Sequence, residues 1–275
     1  MAATLAVTLL THTPEPDRAV AAAGRLCYAP VSAAELTEQM TDGDVARLVR
    51  GLVASGHHSA LEHATFTFAV DGVSRACTHQ LVRHRVASYN QQSQRYVNFS
   101  HTDSFVVPPS VAANAAAELV FLRAMDQARE AYDQLVELGL AEGRSRESVQ
   151  EDARFVLPNA APTNFHVMVN FAEMLHICDL RLCVRAQWEI RRMVAMMRAE
   201  IKHVLPEIAV FLQPKCGENR MGYCDESLDE WQKCPLGKVR PHKSSLFDLY
   251  ERYGSRKAQA LGEAEFRAVE EKEQL

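Results

Sequence analysis

A chain of 275 residues, 47% hydrophobic and 24% charged, is long enough to bury a substantial core and has an ordinary globular balance. Its net charge of −5 excludes a protein that grips nucleic acid over its whole surface, so any basic site must be local. The apolar run in MAATLAVTLLTHTPEP is too short for a membrane span and has no basic lead-in, and seven cysteines without disulfide-like regularity point to a reducing cytoplasm.

In chain order, residues 5–10 predict a first strand, and residues 17–26, entered through Pro14 and Pro16, predict a helix. Cys27 at its end reads as a small buried hydrophobe. Short helices are expected over 33–40 and 42–55, the second with Asp42 as N-cap and Gly56 as its stop. The next stretch, Gly56-His57-His58-Ser59-Ala60-Leu61-Glu62-His63, gathers three histidines and a glutamate, but their spacing matches no zinc-binding helix, so no metal is expected. Ser59 with Glu62 three residues on predicts instead a capping box opening a helix. Residues 65–70 alternate as a strand, and residues 73–82 predict a helix that delivers Gln80 and Arg83 to one face.

The stretch from Gln80 to Tyr96, QLVRHRVASYNQQSQRY, contains no carboxylate. Arg83, His84 and Arg85 are consecutive, so no single face of a helix or strand presents all three. Guanidinium forks suit phosphate oxygens. The loop that follows offers Gln91, Gln92, Ser93, Gln94 and Arg95, donors and acceptors without negative charge, a lining suited to a phosphorylated, hydrogen-bonding heterocycle.

Residues 96–99 and 104–107 read as short strands, stopped by Pro108-Pro109. Residues 112–138 predict a long helix ending at Gly139, with Leu119, Leu122, Tyr132 and Leu135 as packing residues. A helix over 146–155 carries Arg154 and stops at Leu157-Pro158. A strand over 164–169 leads through Asn170 into a helix over 171–180 that carries Glu173 and His176, with Arg181 just beyond. Residues 185–203 form a strongly periodic helix whose Met193, Met196 and Met197 read as core or subunit-interface packing. Past residue 212 the chain changes character. Cys216, Cys224 and Cys234 are separated by seven and nine residues with no CxxC pair, so they read as structural thiols, with His242 as a further candidate ligand were a metal present. Residues 255–275 predict a charged, solvent- or partner-facing helix.

Arg83-His84-Arg85, followed by seven residues, Ser93 and then Arg95, resembles the signature of flavin-dependent thymidylate synthases. The resemblance extends from about residue 26 to 212. It implies FAD as cofactor, NADPH as reductant, methylenetetrahydrofolate as carbon donor, and reductive methylation of dUMP to dTMP. It also implies a homotetramer with sites at subunit interfaces. Flavin contacts carry over onto His57, Ser59, Glu62, Arg83, His84, Arg85, Gln91, Asn170 and His176. Nucleotide contacts carry over onto Gln80, Arg83, Gln91, Gln92, Ser93, Gln94, Arg95, Arg154 and Arg181. Ala172 and His176 depart from the family pattern, in which an Arg and an Asn are expected. Because no cysteine lies in the central loop and Ser93 has no evident base, Arg181 is the candidate for activating the pyrimidine ring and Ser93 a positioning group. The fold expected is α/β (α+β): a single domain over 1–213 with a mixed, largely antiparallel sheet covered by long helices, and an irregular cysteine-containing extension over 214–275. Two other readings stay open. One is a flavin-dependent C5 methylase or hydroxymethylase of UMP or a related nucleotide. The other is a non-catalytic nucleotide- or RNA-binding protein, which the acidic balance disfavours.

Overall fold

The computed structural model describes residues 3–30, 32, 34–36, 40–100 and 104–247. In chain order its elements are β1 (Ala6–His12), α1 (Pro16–Leu26), α2 (Asp42–Ala54), α3 (His58–Leu61), β2 (Thr65–Ser74), α4 (Arg75–Leu81), β3 (Ala87–Gln91), α5 (Pro109–Ala112) and α6 (Ala115–Ala141). They continue with α7 (Arg146–Ala153), a 3-10 turn (Arg154–Val156), β4 (Pro162–Asn170), α8 (Phe171–Arg181), α9 (Trp188–Val204), α10 (Pro206–Ala209) and α11 (Leu228–Lys233). The chain divides into two compact units, Met1–His12 with Phe66–Val169, and Thr13–Thr65 with Asn170–Leu275.

The first unit is built on a four-stranded sheet of order β1-β2-β4-β3. β1 runs antiparallel to β2, with Val7 opposite Val70 and Leu9 opposite Phe68, and β3 runs antiparallel to β4, with Ala87 opposite Val169 and Gln91 opposite Phe165. β4 alternates as a half-buried strand must: Thr163, Phe165, Val167 and Val169 are buried while Asn164, His166 and Met168 face out. The α/β architecture with a largely antiparallel sheet is therefore as expected.

Several boundaries differ, each for a local reason. β2 continues past residue 70 to Ser74, through Gly72 at φ 69°, where an added Cβ would lie 2.3 Å from the Thr4 carbonyl oxygen. Ser74 then accepts the Cys77 N–H at 3.1 Å and caps α4, so the helix starts at Arg75 and not at 73. α4 stops at Leu81, leaving Arg83 beyond the helix that was to present it. Residues 87–91, read as loop, form the strand β3. Residues 96–99, read as strand, are turns, because the N–H groups of Tyr96 and Val97 fold back onto the Ser93 carbonyl at 3.4 and 3.0 Å. Residues 104–107 make isolated backbone bonds, Ala3 N–H to Phe105 O and Val106 N–H to Ala160 O, and no extended strand.

α6 opens on Asn114, whose side chain accepts from Ala116 and Ala117, and runs through Gly139 to Ala141. Gly139 is an interior residue: a Cβ there would sit 2.6 Å from Val149 Cγ2, so the glycine lets α7 approach. Gly143, at φ 79°, follows the real end of the helix. Gly139→Ala is expected to destabilise the protein by about 1–3 kcal/mol through overpacking. Val149→Ala in the same chain should recover part of that loss, read as a partial return of Tm in thermal melts. Of the four packing residues expected on this helix, Tyr132 is fully buried, whereas Leu119, Leu122 and Leu135 are exposed. The reason is that Met125, Tyr132 and Val136 already fill the inward stripe.

The second unit is helical. α2 is capped by Thr41, which accepts the Asp44 N–H at 3.2 Å, so Asp42 is the first helical residue and not the cap. Val45, Val49 and Val53 of α2 join Val20 and Ala21 of α1 in the core, and Gly24 allows the close approach of Leu52. α2 ends before Gly56 at φ 73°, as expected. Cys27, expected to be buried, is exposed because it lies just past α1 as its C-cap. Buried residues of α8 (Met174, Leu175, Ile177, Cys178) and α9 (Ile190, Met193, Val194, Met197, Ile201) complete the apolar interior. The helix expected over 33–40 falls partly, and that over 255–275 wholly, outside the described residues.

Candidate active site

In the first unit, Arg83 and Arg85 are exposed and flank His84, which is buried. This outward-inward-outward order follows from three consecutive residues leaving a helix end. Tyr89 fixes it from β3 by donating its hydroxyl to the carbonyls of Leu81 at 3.1 Å and His84 at 2.9 Å, which satisfies acceptors that the end of α4 leaves open. Among the described residues neither Arg83 nor Arg85 meets a carboxylate within ion-pair distance. Gln80 lies half-buried on α4. Gln91 turns its amide inward, donating to Thr78 Oγ1 at 3.2 Å and Thr163 Oγ1 at 3.3 Å. Thr78 and Thr163, which sequence reasoning did not single out, thus fix that side chain.

The turn after β3 collects cations. Ser93 Oγ accepts the Arg95 N–H at 3.2 Å and closes the turn. The Arg95 guanidinium reaches Glu147 at 3.3 Å and Glu151 at 3.2 Å, both on α7, and lies over the Tyr96 ring. Arg154 donates its Nε to the Glu151 carbonyl at 3.1 Å and stacks on Phe155. Gln94 is half-buried in the same turn. Gln92 lines a cleft of about 390 Å³ together with Thr4, Asn98 and Asn164.

Arg75 belongs with this group and was missed. Its Nη2 donates to the Gln92 carbonyl at 2.9 Å, while its Nε is buried without a hydrogen-bond partner, as is that of Arg95. Burial, and then the neighbouring charge of Arg154, hold its guanidinium below the usual arginine range. A partly buried guanidinium with a second cation acting on it is an arrangement that an anion stabilises. Reading Ser74 as an N-cap puts Arg75 at the first turn of α4, just past the end of β2, and that signal was in the sequence.

In the second unit, His57, Ser59 and Glu62 are all exposed around α3. The expected capping box does not form: His57 is the N-cap without a side-chain bond, Ser59 lies within the four-residue helix, and Glu62 is its C-cap. The helix starts two residues early, with His57 and not Ser59 as its N-cap, because the chain leaves Gly56 already turned. The reciprocal pattern occurs at Ser32 and Glu35, each accepting the other's N–H at 3.3 Å. Asn170 caps α8, its Oδ1 accepting the Glu173 N–H at 2.8 Å, and the Phe171 N–H ties the helix start to the Ala64 carbonyl. His176 is exposed on α8, and Ala172 is half-buried. Burial pushes the Glu173 carboxyl up, partly offset by His176. Arg181 ends α8, half-buried, where a cation also suits the helix dipole.

Residues 8–207 match the family model described as "Thymidylate synthase complementing protein". A flavin-dependent thymidylate synthase of Nitratidesulfovibrio vulgaris is 45% identical over 225 residues, covering 80% of this chain and 91% of that protein. One from Geobacter sulfurreducens is 49% identical over 212 residues, covering 76% and 88%. One from Pyrococcus horikoshii is 37% identical over 254 residues, covering 90% and 99%. Among solved structures, a UMP/dUMP methylase, PolB, from Streptomyces cacaoi bound with 5-Br dUMP is similar at a TM-score of 0.64 and 25% identity, covering 76% of this chain and 95% of that one.

Proposed function

We propose, from the premise that this chain belongs to the flavin-dependent thymidylate synthase family, that it methylates dUMP to dTMP with FAD, NADPH and methylenetetrahydrofolate. The observation that carries the nucleotide reading is the gathering of three arginines around the turn after β3: Arg95 and Arg154 both bond Glu151, and Arg75 bonds the Gln92 carbonyl with the Arg154 charge acting on it. The donor set also fits FAD. Arg83 and Arg85 are exposed and, among the described residues, uncommitted to carboxylates, as partners for a pyrophosphate must be. His84, Gln91, His57, Ser59, Glu62, Asn170 and His176 are assigned to the same cofactor. When bound, FAD supplies the hydride chemistry and the folate the one-carbon unit; the protein contributes positioning and electrostatics.

The residues of the chain divide that work. Arg95, held by Glu147 and Glu151, and Arg154 clamp the phosphate. Gln80, Gln92 and Gln94 supply amides to the nucleotide. Ser93, with its Oγ already accepting from Arg95, orients the turn and is not a nucleophile. Arg181 stabilises negative charge developing on the pyrimidine ring. We assign the chemistry to residues 1–213 and treat 214–275 as an appended segment. The exposed apolar side chains Leu119, Val120, Leu122, Leu135 and Leu138 on α6 support the homotetramer, with sites at its subunit interfaces. We assign the enzyme to the cytoplasm, whose reducing conditions suit seven free cysteines; no helix among the described residues is long and apolar enough to cross a membrane.

The test is purified protein incubated with FAD, NADPH, methylenetetrahydrofolate and either dUMP or UMP. A flavin spectrum and conversion of dUMP to dTMP are expected. Faster methylation of UMP would make the ribonucleotide the preferred substrate, one of the two nucleotides for which PolB is named. A protein that binds no FAD by calorimetry and methylates neither nucleotide would overturn the reading.

A further inference from the structure

The segment after Leu212 holds its shape without an apolar core. From residue 213 to 247 the buried residues are Gly217 and the polar His242, and the buried hydrophobic residues of the described chain end at Leu212. What stitches the segment together is backbone bonding in short turns and surface ion pairs, which individually contribute little. Units this small and this poor in core ordinarily depend on a disulfide or a metal. None of its cysteines is in a disulfide.

Four thiols lie on stretches of chain that are bonded to one another. The Lys215 N–H, next to Cys216, donates to the Asp179 carbonyl at 3.2 Å, and Arg220 grips the Asp179 carboxylate at 2.8 and 2.6 Å. That brings Cys216 to the end of α8, just beyond which lies Cys183. The Lys215 ammonium pairs with Asp225, next to Cys224. Arg185, two residues after Cys183, pairs with Glu226 and, at 3.6 Å, with Glu230 of α11, the helix that Cys234 caps. Four cysteines far apart in sequence are thus each within a few residues of the same set of mutually bonded groups. The electrostatics group the same residues: besides burial, Cys224, Cys183, Arg240 and Cys234 act on the Cys216 thiol. Burial raises the Cys224 thiol, and the backbone of Glu226 acts in the opposite sense, the kind of outer group that stabilises a thiolate.

His242, the histidine singled out beside these cysteines, is committed elsewhere. One ring nitrogen bonds Ser244 Oγ and the other the Glu226 carbonyl, both at 2.8 Å, and its ring packs against Trp231. Its strand bridge to Cys224 makes it a brace for the loop that carries a thiol.

We propose that Cys183, Cys216, Cys224 and Cys234 hold a metal centre as four thiolates, a zinc ion or an iron–sulfur cluster, which staples the C-terminal segment to the end of α8. Four sulfur donors select these two metals over hard cations. Arg185 and Arg240 beside the thiols offset the negative charge that four thiolates leave on such a centre. Sequence spacing offered His242 and not Cys183 as the further ligand beside the three cysteines, because Cys183 lies in a different stretch of chain.

The full-length protein, purified anaerobically without chelator, should contain about one zinc per chain, or about four irons with matching acid-labile sulfide. Cys183→Ser and Cys224→Ser should each lose it, and Cys27→Ser, altering an exposed thiol outside the cluster, should not. X-ray absorption at the metal edge of the wild-type protein counts the sulfur neighbours directly, so the test survives a variant that does not fold. Four sulfurs are expected; a nitrogen or oxygen shell overturns the site. So does a protein that carries neither metal and takes up none when zinc is titrated into its reduced form.

Discussion

Arg181→Ala is expected to fold, bind FAD and oxidise NADPH, yet form almost no dTMP. The argument starts from the reaction. For C5 of the pyrimidine to act as a nucleophile, negative charge must build up on the ring carbonyls and N3, and among the described residues no base is bonded to Ser93 that would make it an alternative nucleophile. A fixed guanidinium does its greatest work when that charge is fully developed, so its loss lowers turnover more than binding. Losing one such donor costs about 10²–10³ in kcat. Arg181→Lys keeps the charge and loses the planar fork, and should recover part of the rate. Arg95→Ala should behave differently, chiefly raising KM for dUMP, because it is assigned to the non-reacting phosphate. Single-turnover dTMP formation at saturating dUMP with prereduced flavin separates the two. A near-wild-type rate for Arg181→Ala under those conditions would reduce Arg181 to a binding or helix-terminating residue.

The sequence was legible where the signal is local and aliphatic. β4, α8 and α9 appear with their periods intact, and Asn170 stands where a cap for α8 belongs. It was illegible where a local signal has two physical meanings. Gly139 looks like a helix stop, but the glycine serves the approach of Val149. Ser59 with Glu62 has the spacing of a capping box, but a backbone already turned at Gly56 starts the helix elsewhere. β3 was hidden because its alternating positions carry Ala87, Tyr89 and Gln91 and no β-branched aliphatic side chain; its partner β4 and the bonds of Tyr89 supply what local propensity does not.

The candidate site divides along the same line. Arg83, His84 and Arg85 announce themselves as a run, and their alternating exposure follows from geometry alone. Arg75 and Cys183 do not, because each matters through residues distant in sequence: Gln92 and Arg154 for the first, the cysteines past Leu212 for the second. Spacing rules see only neighbours along the chain, and chemistry assembled by folding escapes them.

Tyr132→Ala is expected to damage both stability and nucleotide binding, because the core beneath α6 supports the phosphate clamp. Tyr132 is fully buried in a cluster with Phe99, Val136, Val149, Ala153 and Ala161, its ring set edge-on to Phe99 at 6.4 Å between centroids. Phe99 ends the turn that carries Ser93 and Arg95, and Val149 and Ala153 belong to the helix whose outer face presents Glu147 and Glu151 to Arg95. Removing a buried aromatic ring costs about 3–5 kcal/mol, a loss of roughly 10 °C in Tm for a chain of this size. The clamp loosens with it, since the turn and α7 lose the surface they share, so KM for dUMP should rise while kcat at saturation falls much less. Tyr132→Phe keeps the ring and gives up one long bond, from the Phe99 N–H at 3.4 Å, and should cost no more than about 1 kcal/mol. Thermal melts and dUMP titrations of the two variants test the link. A Tyr132→Ala protein that is less stable but keeps the wild-type KM would show that the clamp stands without this core.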